Sequence, residues 1–292
     1  MYRYTWCLLL ALAWGPAARA GTLAQFRTTV GDLDVELFDQ DKPVTVQNFL
    51  RYVRGGLYQN MFFHRCLPGF IVQGGGEAVA DPTSLSLFAQ YLGVPEFAPI
   101  TNEFNVGPRI SNTYGTIAMA KISGNPNSAT SGFFFNLADN GANLDFQNGG
   151  FTVFGRVVRG TNVLENFNGR NKAILAGIQD LTLWFPNDPS AALFSDLPVS
   201  YNGVAYPRYA DLTYVFDISL LNIQVKLGTN RVPQISWKSI AAQTNYVEYS
   251  ALTNRPPQWS VLGSKIGDGN VMTVTDTSAN FTKRFYRVRV DY

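Results

Sequence analysis

The chain has 292 residues, 15% of them charged and 14% aromatic, with 23 Lys and Arg against 21 Asp and Glu. That is enough chain to bury one full core and start a second, and its charge is too even for a protein that must neutralise a phosphate backbone, so nucleic acid is not an expected partner. One histidine and two cysteines also leave too few soft ligands for a zinc site, and no cofactor or metal is expected.

The first twenty residues, MYRYTWCLLLALAWGPAARA, read as a secretory signal. Arg3 supplies the positive start, Trp6 to Trp14 an apolar run too short to span a bilayer, and Ala18-Arg19-Ala20 a small-x-small cleavage site. Cleavage removes Arg3 and Arg19 and no acid, so Lys plus Arg falls from 23 to 21, equal to the 21 Asp plus Glu. Cys7 leaves as well, and Cys66 alone cannot form an internal disulfide. The expectation is an exported protein, periplasmic or secreted, with no integral membrane span once the signal is gone.

After the signal, AQFRTTVGDLDVELF has two β-rich runs around Gly31-Asp32, which predicts a hairpin turning there. In KPVTVQNFLRYVRGG the period changes: Val46, Phe49, Leu50 and Val53 fall on one helical face, with Pro43 suited to the first turn and Gly55-Gly56 to the end. Residues 61 to 74 return to strand character. Residues 77 to 103 hold Pro82, Pro95 and Pro99 and are expected to run irregularly over the surface. Three β runs follow, GTIAMAK, SGFFFNL and FTVFGRVVRG, then a second helix over Asn162 to Phe167. LTYVFDISLLNIQV, Leu212 to Val225, reads as one strand closing the first domain, and KLGTNRVP as a linker. From Gln234 the chain is short alternating β segments, a small all-β module. The division expected is a signal over 1–20, a main domain over 21–226, a linker over 227–231 and the module over 232–292. Asn280-Phe281-Thr282 matches a glycosylation sequon.

MFFHRCLPGFIVQGGG, Met61 to Gly76, is the one stretch that concentrates chemistry. A phosphate loop would need a lysine and a hydroxyl after the glycines, but Glu77 follows them and no such pair occurs. His64 is the sole imidazole, no serine sits in a nucleophile elbow, and a lone histidine in an apolar strand is most often a core residue. Arg65 is different. A guanidinium amid so many apolar residues is costly unless it is aimed at something, and a turn at Pro68-Gly69 can bring Phe70, Ile71 and Gln73 beside it.

FFHRCLPGFIVQGGG is similar to the Phe-His-Arg, Pro-Gly-Phe and Gln-Gly-Gly signature of the cyclophilin-type peptidyl-prolyl cis-trans isomerases. NTYGTIAMAK, NSATSGFFFNLADN, NLDF and FTVFGRVVRG follow in that family's order, over roughly residues 22 to 225. The resemblance implies a mainly β fold, a closed eight-stranded β-barrel capped by two helices, with the active cleft on its outer face. It implies Arg65 as the catalytic residue and Phe70, Ile71, Phe134 and Leu144 as the walls of a proline pocket. Gln73 would contact the substrate backbone, Ala120 and Lys121 would flank the peptide groove, and Phe151 would complete the substrate-binding set. Proline-containing polypeptides are the implied partners. Lys121, Gly132, Asn143 and Phe151 depart from the residues the family often carries, which puts sequence preference and cyclosporin sensitivity in question. The C-terminal segment resembles, loosely, the fibronectin-type-III-like modules appended to exported proteins, with Tyr246, Tyr249 and Trp259 as aromatics for either its core or a ligand face. Two functions are open on these residues: an isomerase assisting the folding of exported proteins, and a proline-peptide binding or adhesion protein using the same cleft without turnover.

Overall fold

The computed structural model describes residues 22–172, 177–201, 206–221, 223–228, 232–239, 244–251, 259–268, 270–278 and 284–291. The signal expected over 1–20 and the sequon at 280–282 lie outside them, as does most of the expected linker. None of the described helices is long and apolar enough to cross a membrane.

The chain is mainly β. Strands β1 (Leu23–Thr28) and β2 (Gly31–Leu37) form a hairpin whose loop is Thr29-Val30, two residues earlier than expected. Thr28 Oγ accepts from the Val30 amide at 3.2 Å, and Gly31 takes φ of +120°, so the glycine starts the second strand instead of turning the chain. Helix α1 (Pro43–Arg54) buries Val46, Phe49 and Leu50 on the predicted face. No side chain of its own caps it. The Glu103 carboxylate accepts from the Val44 and Thr45 amides at 3.1 and 2.7 Å, satisfying donors that a helix start leaves open.

Next come β3 (Met61–Phe62), β4 (Arg65–Leu67), β5 (Ile71–Gly74), β6 (Glu77–Ala78), β7 (Leu92–Gly93), β8 (Thr116–Met119) and β9 (Phe133–Asn136). They are followed by α2 (Gly141–Leu144), β10 (Val153–Arg159), α3 (Thr161–Asn168), β11 (Ile178–Gln179), β12 (Leu197–Pro198) and β13 (Tyr214–Leu221). One curled sheet takes the order β4-β5-β9-β8-β10-β2-β1-β13-β3-β6-β7. Its inner face and the helices build the main core, from Phe26, Leu33 and Val35 through Phe49, Phe63 and Phe135 to Phe154 and Phe167.

The 77–103 segment does more than cross the surface. Val79 and Phe88 from it join Phe62, Leu181, Phe194, Leu197 and Tyr214 in a second buried cluster, because its few large apolar residues find partners in a segment a hundred residues away. The expected strand over 212–225 also changes partners along its length. β13 pairs with β1, whereas β14 (Ile223–Leu227) pairs with β15 (Pro233–Lys238) of the C-terminal part. That part adds β16 (Thr244–Ala251), β17 (Ser260–Ile266), β18 (Val271–Thr275) and β19 (Arg284–Asp291), arranged as two three-stranded sheets. Ile235, Trp237, Val247 and Val288 form its core, and Leu23 of β1 packs against it. Tyr246 and Tyr249 are half-buried, the latter beneath the Arg284 guanidinium at 4.2 Å.

Candidate functional site

Strand alternation decides which residues of the central sheet meet. Register pairs join Arg65 to Gln73, Gln73 to Phe134, Phe134 to Ala118 and Ala118 to Val153, one row across five strands on one face. The neighbouring row, Cys66, Val72, Phe135 and Ile117, points the other way into the main core. The FFHRC and QGGG runs therefore divide by parity: odd-numbered Arg65 and Gln73 face outward while Cys66 and Val72 are sealed inside.

Around the outward row lies a separate apolar cluster. Ile71, Ala118, Phe134, Leu144 and Val153 are buried in it, with Phe70, Ala120 and Phe151 packed against them. The Phe134 and Phe151 rings meet edge to face at 5.7 Å. Of the nine residues named from sequence, six (Phe70, Ile71, Ala120, Phe134, Leu144 and Phe151) thus share one cluster, and Arg65 and Gln73 join it through the register. Lys121 stands at its margin. Its ammonium donates to the Asn148 and Gly150 carbonyls at 2.8 and 2.7 Å and lies 4.7 Å from the Phe151 ring centre, so it holds a loop beside the cluster. Burial pushes its pKa down to about 8.

The polar members of the row are open. Among the described residues no hydrogen-bond partner meets the Gln73 carboxamide or the Arg65 guanidinium, and Arg65, 40% exposed, has one charged neighbour, the Asp196 carboxylate 3.9 Å from its Nε. Next to it His64 is buried, with no partner on Nδ1, and burial followed by the Arg65 charge pushes its pKa down to about 4. A neutral imidazole sealed in the wall cannot serve as an acid or base near pH 7. The glycines of QGGG answer to packing. Gly75 sits at φ of +84°, and a Cβ there would lie 2.6 Å from the Ser131 carbonyl oxygen.

A network of buried amides, not singled out from the sequence, holds the pocket walls. Asn140 donates to the Phe70 carbonyl and to Asn136 Oδ1, each at 2.8 Å, while Asn112 donates to the Phe151 carbonyl at 3.0 Å and to Asp145 at 2.8 Å. Its signal in the sequence was the asparagines inside SNTYG and FNLADN, which flank the strands. Asn143 is exposed, and at Gly132 a Cβ would meet that of Ala120 at 3.3 Å, a tight contact.

A cleft of about 460 Å³ lies elsewhere, against the second cluster, lined by Phe88, Tyr91, Trp184, Phe185, Phe194 and Tyr206. No cation or carboxamide lines it; its polar groups are Asp188, Ser190, the Tyr91 and Tyr206 hydroxyls and the Trp184 indole, and Asp188 Oδ1 accepts from the amide and hydroxyl of Ser190. Volume alone does not make it the reactive site. A guanidinium and a carboxamide without hydrogen-bond partners beside an apolar cluster can engage an extended peptide and favour one rotational state of it; the 460 Å³ cleft has neither group.

Comparison with known proteins finds one family. The sequence profile described as cyclophilin type peptidyl-prolyl cis-trans isomerase/CLD matches residues 23–175. A peptidyl-prolyl cis-trans isomerase of Acinetobacter baylyi is 39% identical over 149 residues, covering 51% of this chain and 72% of that protein. Peptidyl-prolyl cis-trans isomerase B of Escherichia coli is 39% identical over 154 residues, covering 50% of this chain and 84% of its own. A crystal structure of a Cryptosporidium parvum cyclophilin type isomerase superposes with a TM-score of 0.44 at 21% identity, over 69% of this chain and 98% of that one.

Proposed function

Because the chain belongs to the cyclophilin-type peptidyl-prolyl cis-trans isomerase family, we propose that its Arg65 row catalyses rotation about X-Pro bonds in polypeptides, and that its clients are exported proteins that it helps to fold. The observation carrying this reading is the row itself: a guanidinium and a carboxamide without hydrogen-bond partners among the described residues, and a buried aromatic, in adjacent register on one face, bordered by apolar side chains.

Peptide rotation faces a barrier of about 18–20 kcal/mol because the nitrogen lone pair is delocalised into the carbonyl, and unassisted X-Pro isomerisation takes tens of seconds or longer. No bond breaks. A catalyst needs only to bind the twisted amide better than either planar form. Twisting localises the lone pair on the prolyl nitrogen, and a guanidinium hydrogen bond aimed there is stronger in the twisted state than in the planar ones. Arg65 takes that role. Phe70, Ile71, Phe134, Leu144 and Phe151 hold the proline ring, Gln73 fixes the peptide backbone, and Ala120 and Lys121 border the groove, so only the preceding carbonyl swings.

Three further readings accompany this one. The curled sheet is a closed barrel of eight strand runs: support comes from Met61–Leu67, whose first half pairs with β13 and whose second half pairs with β5, at opposite ends of the remaining order. The domain boundary, expected after residue 226, falls earlier on this reading, between β13 and β14, because β13 pairs with β1 whereas β14 pairs with β15. The six-stranded C-terminal part is an appended fibronectin-type-III-like module. Export rests on the signal-like first twenty residues.

The test is a protease-coupled proline-peptide assay on purified residues 21–292. Wild type should accelerate isomerisation, and Arg65→Ala should lose about a hundredfold, the usual effect of removing one transition-state donor, with its melting temperature little changed because Arg65 is half-exposed. Peptide binding without turnover by wild type would make this a proline-peptide binding protein instead.

A further inference from the structure

We propose that Asp196 is a positioning residue for Arg65, supplied by a part of the chain beyond the residues 23–175 that match the family profile. The inference rests on the isomerase reading above and adds to it a residue with no counterpart in that matched stretch.

Asp196 touches β4 twice. Its main-chain carbonyl accepts from the Cys66 amide at 2.8 Å, and its Oδ2 lies 3.9 Å from Arg65 Nε. The backbone around it is pinned: Phe194 and Leu197, on either side, are both buried in the second aromatic cluster. The carboxylate is held from its far side as well. Lys172 Nζ reaches Oδ1 at 3.1 Å, donates to the Ser195 carbonyl at 2.5 Å and pairs with Asp180 at 3.1 Å, while the Ser195 hydroxyl donates to Oδ2 at 3.1 Å. At 15% exposure the carboxylate is largely withdrawn from solvent.

A separation of 3.9 Å is beyond hydrogen-bond range, so the link to Arg65 is Coulombic. That distance suits the task. A bidentate carboxylate would occupy the guanidinium donors that the twisted amide needs, whereas an ion pair on the Nε side restricts the side chain and leaves its donors free. A long, half-exposed arginine otherwise loses rotamer freedom each time it engages the transition state. Asp196 removes part of that loss beforehand, and its effect falls on kcat, not on KM, because the planar ground state does not use the Arg65 bond.

The experiment measures kcat and KM on an uncharged, capped Ala-Pro peptide for full-length wild type, Asp196→Asn and Asp196→Glu, each at low and at 1 M salt. Expected are a three- to tenfold lower kcat in Asp196→Asn with KM within twofold, partial recovery in Asp196→Glu, and a wild-type kcat that falls with salt towards the Asn value while the variant stays flat. Wild-type turnover with an unchanged kcat in Asp196→Asn overturns the positioning role and leaves the isomerase reading standing. A wild type without turnover overturns both. If the Asn variant fails to fold, the salt series on wild type decides alone: a kcat indifferent to salt overturns the inference.

Discussion

Two apolar clusters flank the curled sheet, and they differ in chemistry more than in size. The first, around Phe134, Ile71 and Leu144, is shallow and bordered by a guanidinium and a carboxamide with no hydrogen-bond partners among the described residues. The second, around Phe62, Phe88 and Phe194, is richer in rings and carries a cleft of about 460 Å³, but no cation or carboxamide lines that cleft, and its one carboxylate, Asp188, is engaged in a local turn with Ser190. Aromatic rings in the second meet one another at 4.9 to 6.4 Å, the geometry of a core that stabilises the fold. What separates the two here is a guanidinium and a carboxamide beside the apolar surface, not the amount of that surface.

The strongest way to break this comparison is to truncate one ring in each cluster. Phe134→Ala and Phe88→Ala each remove a side chain about 2% exposed, and each should cost about 3–5 kcal/mol in urea unfolding. Turnover per folded molecule should fall more than tenfold in Phe134→Ala and stay within twofold in Phe88→Ala. Equal losses of turnover would mean that the second cluster belongs to the reacting site.

A smaller effect sharpens the link between the two regions. His64 lies in the run that joins Phe62 of one cluster to Arg65 of the site, and its pKa of about 4 in the fold compares with an ordinary 6.5. Between those values the unfolded chain holds a proton that the folded one does not, so stability is lost as pH falls from 6.5 to 4, by about 3 kcal/mol at most. Denaturant melts at pH 7, 5.5 and 4 should show this loss in wild type and a smaller one in His64→Gln. An unchanged slope would show that the imidazole is not sealed in the wall.

The smallest effect concerns the rim. Lys121 is held at about 8 by burial, against an ordinary 10.5. From pH 8 to 10.5 the unfolded lysine retains a proton that the folded one has released, so this residue makes stability rise with pH across that window. Lys121→Met should flatten the rise in thermal melts. A melting curve identical to wild type at every pH would place Lys121 in solvent.

The FFHRC, QGGG and FFFN runs carried the candidate row because a strand sends alternate residues to opposite faces, so parity alone separates Arg65, Gln73 and Phe134 from Cys66, Val72 and Phe135. The face of α1 was equally legible, since Val46, Phe49 and Leu50 obey the helical period. Less legible was the hairpin. Gly31-Asp32 carries the composition of a turn, but the Thr28 hydroxyl and the register with β1 place the loop at Thr29-Val30. The change of partner between β13 and β14 was invisible because LTYVFDISLLNIQV is uniformly strand-like, and only the partners tell its two halves apart.

By itself the sequence determined which side chains would face outward together along each strand, because that depends on period and on neighbours a few residues away. Only the tertiary structure decided that Val79 and Phe88 would be buried with Phe194, that Glu103 would cap α1, and that Asp196 would stand beside Arg65. Those meetings join segments separated by roughly sixty to a hundred and thirty residues. They are set by where the packed core leaves room for a returning chain, a quantity that no local pattern contains.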